Sequence, residues 1–171
     1  MTTLPSRFNS DGGVIYNGFV FITAPQPAVA GVRSQSPRNR ALFNALTAPS
    51  ALNPPSVATS QTCYQLESSF FGCTLSTAQA SATAPIQCTV TLQGFNSKNE
   101  LVGSESFTFK PENAVFSNMT SFEVTKIPKT KLISFSTSVA GTDIAANAVV
   151  TLFDDVTYSQ YDSSESCGRE F

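Results

Sequence analysis

The sequence predicts an all-β protein, an antiparallel β-sandwich with a long Pro-rich loop. β-branched and aromatic residues recur in short runs, turn-forming residues separate these runs, and no helical apolar period persists. At 171 residues the chain is long enough for one domain with a hydrophobic core. We therefore expect about seven or eight antiparallel strands in two packed sheets.

The first expected strand covers residues 13–23 and is apolar on both faces. The later strands are expected at 64–75, 86–95, 101–109, 122–127, 131–139 and 148–158. In the strand at 86–95, apolar and polar residues alternate, which predicts one buried and one solvated face. The apolar members are Cys88, Val90 and Leu92, and the polar members are Thr89, Thr91 and Gln93.

The connection over residues 24–62 carries six prolines, which interrupt helices and strand ladders alike. We expect a long loop there, with a short helical or irregular patch at 38–46, and connections of this length are usually functional or disordered. The sandwich is expected over 13–159, between an N-terminal segment at 1–12 and a polar C-terminal tail at 160–171.

The composition argues against catalysis and against nucleic-acid binding. The chain has no His, the commonest general base, and no Trp. Charged residues are 13% of the chain, net charge is −2, and 23 Ser and 19 Thr supply neutral hydroxyls instead. The Lys and Arg residues are scattered, so no basic stripe is present, and no apolar run has the length of a membrane span.

The even number of cysteines and the absence of C-x-x-C spacing favour two disulfides over a metal site, although buried free thiols are the alternative. We expect Cys73 to pair with Cys88 across a short loop. The remaining pair, Cys63 with Cys167, would anchor the C-terminal tail. Asn118 begins an N-x-Thr sequon and is the expected glycosylation site.

Four segments together carry a resemblance to a known group of proteins. They are Tyr16-Asn17-Gly18-Phe19, Ser69-Phe70-Phe71-Gly72-Cys73, the stretch 85–95, and Leu152-Phe153-Asp154-Asp155-Val156-Thr157-Tyr158. Their order resembles secreted jelly-roll domains of fungal surface proteins, whose architecture is similar to galactose-binding-like folds and carbohydrate-binding modules. The resemblance implies that the antiparallel β-sandwich is of the jelly-roll type and that the domain works in extracellular recognition. Without Trp, the flat aromatic platform of many such modules is not expected.

The same resemblance implies a structural calcium ion at the last strand. Alternation puts Asp154 on the row of Leu152 and Val156, and a buried carboxylate needs a cation or several donors. Asp154 and Asp155 would then bind Ca²⁺, with further oxygens from Asn9 and Asp11. The alternative is that Asp154 accepts backbone N–H groups from a neighbouring loop. Because adjacent residues of a strand point to opposite faces, the two aspartates do not form a glycosidase pair.

The candidate ligand-binding residues are Tyr16, Asn17, Arg38, Asn39, Arg40, Asn44 and Tyr64. The tyrosines offer a flat face with a hydroxyl, and the Arg and Asn side chains suit sugar hydroxyls. For each tyrosine the alternative is a place in the core, and for the Arg and Asn cluster it is a solvated turn.

We expect a secreted monomer, compatible with association with a cell wall, that needs no cofactor. Its predicted partner is carbohydrate, or the surface of a host or neighbouring cell. The alternatives are a protein-binding adhesin or secreted effector without a sugar site and, third, a polysaccharide-active enzyme.

Overall fold

The computed structural model describes residues 8–9, 14–23, 31–36, 39–43, 54–59, 63–75, 84–139, 149–161 and 167. Its strands are β1 Phe8–Asn9, β2 Val14–Asn17, β3 Val20–Thr23, β4 Gly31–Arg33, β5 Asn39–Phe43, β6 Ser56–Thr59, β7 Cys63–Leu75, β8 Cys88–Phe95, β9 Leu101–Phe109, β10 Phe116–Asn118, β11 Thr120–Glu123, β12 Leu132–Ser138 and β13 Val149–Tyr161. The described part of the chain contains no helix with the length and apolarity that crossing a membrane requires.

The strands form two antiparallel sheets and one small parallel ribbon. One sheet has six strands in the order β1-β2-β6-β12-β8-β9, and the other has five in the order β11-β7-β13-β5-β3. Strand β10 pairs in parallel with β4. The predicted all-β antiparallel class is confirmed, and the arrangement is compatible with a jelly-roll β-sandwich.

The first predicted strand is in fact two strands in different sheets. Strand β2 belongs to the six-stranded sheet and β3 to the five-stranded sheet. Between them Gly18 has a φ of 72°, a conformation that favours glycine and lets the chain turn from one sheet to the other. The next residue, Phe19, is buried between the sheets, with its ring 5.4 Å from Phe43 and 5.5 Å from Phe135. The segment is apolar on both faces because it crosses the core.

The Pro-rich connection is not one long loop, because it contributes three strands. Strand β4 lies in the ribbon, β5 in the five-stranded sheet and β6 in the six-stranded sheet. The helical or irregular patch expected at 38–46 was therefore wrong. Ala41 and Phe43 are buried on β5, which lies between β13 and β3 and gains ladder hydrogen bonds from both. Tertiary pairing outweighs the local effect of the nearby prolines.

The remaining strands lie close to their predicted positions, with differences at the ends. Strand β13 continues to Tyr161, and β11 begins at Thr120 and ends at Glu123. Residues 124–130 pass against the inner side of β8 and β9, and at both ends of this segment Val124 and Thr130 are hydrogen-bonded to β7. A Cβ added at Gly94 would lie 2.6 Å from Thr130 Cγ2, so only glycine permits this close approach.

Phenylalanine rings fill the space between the sheets. Phe153 of β13 stacks on Phe43 and Phe71 and meets Phe122 and Phe135 edge-on. Offset and edge-to-face contacts of this kind add stability beyond the burial of area. The alternation predicted for β8 is confirmed, since Cys88, Val90 and Leu92 are buried and Gln93 is exposed.

Both disulfides have the predicted pairing. Cys73 is bonded to Cys88 and Cys63 to Cys167, with Cα–Cα distances of 6.1 and 5.7 Å. The first joins β7 of one sheet to β8 of the other, and the second holds Cys167 against the start of β7. The two bridges therefore stabilise both the pairing of the sheets and the position of the C-terminal region.

The edge of the six-stranded sheet is formed by β9. Glu105 is paired with Leu92 in the ladder and its carboxylate points toward the inner side. It accepts backbone hydrogen bonds from Thr125 at 2.8 Å and from Lys126 at 3.0 Å. Although burial raises the pKa of the Glu105 carboxyl, these donors outweigh that effect and hold the pKa below its usual value.

Candidate functional site

The two candidate tyrosines lie in the interior of the sandwich. Tyr64 is 1% exposed, and its hydroxyl donates a hydrogen bond of 2.6 Å to the carbonyl of Val57. Burial raises the pKa of Tyr64 well above its usual value. The prediction that Tyr64 contacts a ligand was therefore wrong, and the alternative of a core residue with a satisfied hydroxyl is the observed one.

Tyr16 is largely buried and packs edge-on against Phe19 and Phe21, with ring centroids 5.8 and 5.4 Å away. Burial, and next the proximity of Tyr158, raise the pKa of Tyr16 to about 12. Both predicted tyrosines line an apolar cavity between the sheets, with Tyr158 as a further wall. The centre of a water molecule can occupy only about 20 Å³ of it, so the cavity has room for about one water and not for a sugar.

The polar candidates from the N-terminal third are described only in part, so their grouping into one site stays a prediction. Asn17 is half-buried at the end of β2, where it pairs with Ser56 of β6. Asn39 and Arg40 lie on β5, and only their backbone positions are described. Arg38 and Asn44 lie outside the described residues.

Asp154 is a buried carboxylate with protein donors. It is 5% exposed and accepts hydrogen bonds from the Ser36 N–H at 2.7 Å, the Ser36 hydroxyl at 2.6 Å and the Asp155 N–H at 3.0 Å. Its own carbonyl accepts the Ser69 hydroxyl at 2.8 Å. This arrangement matches the alternative in which a neighbouring loop supplies the donors.

Asp154 does not lie on the core-facing side of the five-stranded sheet, which the alternation of β13 predicted, and that prediction was wrong. Phe153 contacts Phe135 of the other sheet, so Asp154 lies on the outer side, where the segment 31–36 covers it. A register shift follows Asp154, and Asp155 is exposed with a φ of 47°. Beyond this bulge Val156 and Tyr158 line the inner cavity.

The predicted calcium site is not tested by the described geometry. Asn9 is placed on β1 by its backbone alone, and Asp11 lies outside the described residues. No cluster of three acidic or thiol side chains that could hold a metal occurs within the described ranges. Calcium at Asp154 and Asp155 stays a prediction, and so does glycosylation at the exposed Asn118, whose amide lies 3.4 Å from Glu112.

A different surface emerges on the outer side of the six-stranded sheet. Ladder register places neutral polar residues of β12, β8 and β9 in three adjacent rows, which we call the hydroxyl face. The rows are Ser138-Thr89-Thr108, Ser136-Thr91-Ser106 and Ser134-Gln93-Ser104. Neighbouring strands are about 4.8 Å apart and successive rows about 6.7 Å apart, so the face measures about 10 by 14 Å.

The hydroxyl face is accessible and uncharged. All of its members except Ser134 are exposed or half-exposed, and no row contains an ionisable side chain. The hydroxyls of Thr91 and Ser106 lie 2.8 Å apart, and those of Thr89 and Thr108 lie 3.1 Å apart. Because one hydroxyl of each pair donates to the other, the second keeps its proton for a ligand.

At one end, the hydroxyl face borders a row of apolar residues. The next row after Gln93 contains Leu132 of β12, Phe95 of β8 and Leu101 of β9. Leu101 is 56% exposed, whereas Phe95 and Leu132 are half-buried. Sequence reasoning identified the polar side of β8 but missed this face. The Ser-x-Ser-x-Ser pattern at 134–138 and the similar pattern at 104–108 were the available signals, and only the register shows that they are adjacent.

Comparison with known proteins supports the fold alone. No protein-family model matches the chain, and no curated protein matches it significantly. The chain is similar to a DUF4465 family protein from Bacteroides caccae, with a TM-score of 0.65 and 13% identity over 91% of this chain and 85% of that one. A structure described as a CBM4 aligns over 91% of this chain and 75% of its own, at 11% identity, with a TM-score of only 0.28.

Proposed function

We propose that this chain is a non-catalytic extracellular recognition domain that binds neutral carbohydrate through the hydroxyl face. The observation that carries the proposal is the pairing register, which gathers hydroxyl and amide groups of three strands on one uncharged surface. Sugar hydroxyls are donors and acceptors at once, and so are the Ser and Thr hydroxyls that they would meet.

The chemistry of this face favours carbohydrate over other macromolecules. A nucleic-acid site requires Lys or Arg for the phosphates, and the rows contain neither. The centre of a protein interface is typically rich in aromatic residues, Met and Arg and poor in Ser. The hydroxyl face has the opposite composition, which argues against the alternative of a protein-binding adhesin.

The scaffold makes the face rigid before a ligand arrives. Strand β8 is paired on both sides from Thr89 to Phe95, and the Cys73–Cys88 bridge ties its first residue to the other sheet. A preorganised surface avoids part of the ordering cost of binding. The disulfides also suit an oxidising, extracellular compartment, and location at a cell wall belongs to the same proposal.

A glycan array and co-sedimentation with neutral polysaccharides test the proposal. The variant Thr91→Val combined with Ser106→Ala removes one hydrogen-bonded hydroxyl pair, and it should weaken binding by about tenfold. Thr157→Val on β13 is the matched control, because Thr157 is exposed and lies on the other sheet.

Absence of binding to any carbohydrate, or equal binding by the double variant and the parent, would contradict the proposal. The same mixtures should release no more reducing ends than a denatured sample does. Release above that level would show an enzyme instead.

A further inference from the structure

The boundary between the hydroxyl face and the apolar row combines two chemistries within a short distance. Gln93 carries the one amide of the face, is exposed, and makes no side-chain hydrogen bond within the described residues. Phe95 lies two residues further along the same side of β8, about 6.7 Å away. Leu101 pairs with Phe95 across the ladder and is 56% exposed.

An amide beside an apolar patch is complementary to an acetamido group. The acetamido substituent of an N-acetylated sugar has one N–H donor, one carbonyl acceptor and a terminal methyl. The Gln93 side chain offers a carbonyl for the N–H and an NH₂ for the carbonyl. With these bonds made, the methyl would point along β8 toward Phe95 and Leu101, where its burial is favourable.

We infer that Gln93, Phe95 and Leu101 form a subsite for the N-acetyl group of a neutral acetamido-sugar polymer. The inference rests on the proposed function, since it names the class of carbohydrate that the hydroxyl face binds. The remaining rows, centred on Thr91 and Thr89, would contact hydroxyls of neighbouring sugar units along the strand. A single monosaccharide would use only part of this surface and bind more weakly.

Two oligosaccharides that differ only in the substituent provide the test. Chito-oligosaccharides and cello-oligosaccharides of equal length share a β-1,4 glucose backbone, but only the first carries acetamido groups. Calorimetric titration of the native protein should show at least about tenfold tighter binding of the acetylated series. Only this series can make the amide hydrogen bonds to Gln93 and the methyl contact with the apolar row.

Two variants assign the effect to the subsite. Leu101→Ala removes exposed apolar surface and Gln93→Glu removes the amide donors while keeping the size of the side chain. Each should reduce the preference for the acetylated series over the cello series by about threefold or more, because the lost contacts are made mainly to the acetamido group. Val115→Ala is the control, because Val115 is 59% exposed and lies before β10, outside the hydroxyl face.

The outcomes separate this inference from the function on which it rests. Equal affinity for the two series, or tighter binding of the cello series, would overturn the acetamido subsite and leave carbohydrate binding intact. Loss of preference in Val115→Ala as well would also overturn it. If no carbohydrate binds at all, the proposed function fails together with the subsite. Circular dichroism and the melting temperature of each variant show that the comparisons concern folded protein.

Discussion

Replacing Asp154 with alanine should destabilise the whole domain. The Asp154 carboxylate joins β13 to the segment after β4, which is 118 residues away in sequence, through the N–H and the hydroxyl of Ser36. It also accepts the N–H of Asp155 at the bulge. The substitution leaves these donors without their acceptor. Because Asp154 is only 5% exposed, water has little access to the position of its carboxylate.

The expected loss is about 3 kcal/mol. Hydrogen bonds to a charged group contribute about 1.5–3 kcal/mol each, and a donor left without a partner costs about 1–3 kcal/mol when buried. Ser36 is half-exposed, so water can satisfy part of the loss and the contributions do not add in full. For a chain of this size, about 3 kcal/mol corresponds to a fall in melting temperature of about 6–12 °C.

Urea unfolding of the parent, Asp154→Ala, Ser36→Ala and the double variant measures the effect. Ser36→Ala removes only the hydroxyl bond and should cost about 1 kcal/mol, and the double-mutant cycle should show a coupling of about the same size. If Asp154→Ala unfolds at the same urea concentration as the parent, the carboxylate does not hold the segment and the reasoning is wrong.

Melting temperatures measured with EDTA and with added Ca²⁺ complete this experiment. When the protein donors suffice, EDTA leaves the melting temperature of the parent unchanged. When the predicted calcium ion is present, EDTA lowers the melting temperature and added Ca²⁺ restores it by mass action.

Further predictions concern the core and the bridges. Because the pKa of Tyr16 is raised from 10.0 to about 12, the neutral form stabilises the fold below pH 10, and the free energy of unfolding should fall between pH 10 and 12. A folded protein whose tyrosine absorbance titrates fully near pH 10 would contradict this. Replacing Cys73 and Cys88 by Ala opens a loop of 15 residues and should lower stability by about 3 kcal/mol, as measured by urea unfolding. Gly72→Ala places a Cβ 2.6 Å from Val32 Cγ1 and should cost about 1–3 kcal/mol, with partial rescue by Val32→Ala in thermal melts.

The fold class and the bridges could be predicted from local information. Alternation along a strand reports which residues face the core, and this is why Cys88 and Val90 were placed correctly. Cys88 then had a partner across a short loop, since Cys73 lies near the end of the preceding strand. These inferences require only one strand or one loop at a time.

Long-range pairing could not be predicted in the same way. Strand β5 is a strand because β13 and β3 lie on its two sides, and its own sequence reads equally well as an irregular patch. The turn of the chain at Gly18 and the bulge after Asp154 each changed the face that later residues occupy. The hydroxyl face depends on the relative register of three strands, which no single strand encodes.

Glu105 disfavours strand pairing between molecules that are crowded together. Strand β9 is the last strand of its sheet, and a long, nearly uncharged edge is a template for another chain to join. An inward-pointing carboxylate bonded to Thr125 and Lys126 keeps the segment 124–127 beside this edge and disfavours the approach of a second edge strand. Copies of the domain that are crowded together would then remain separate and would not join into fibres through this edge.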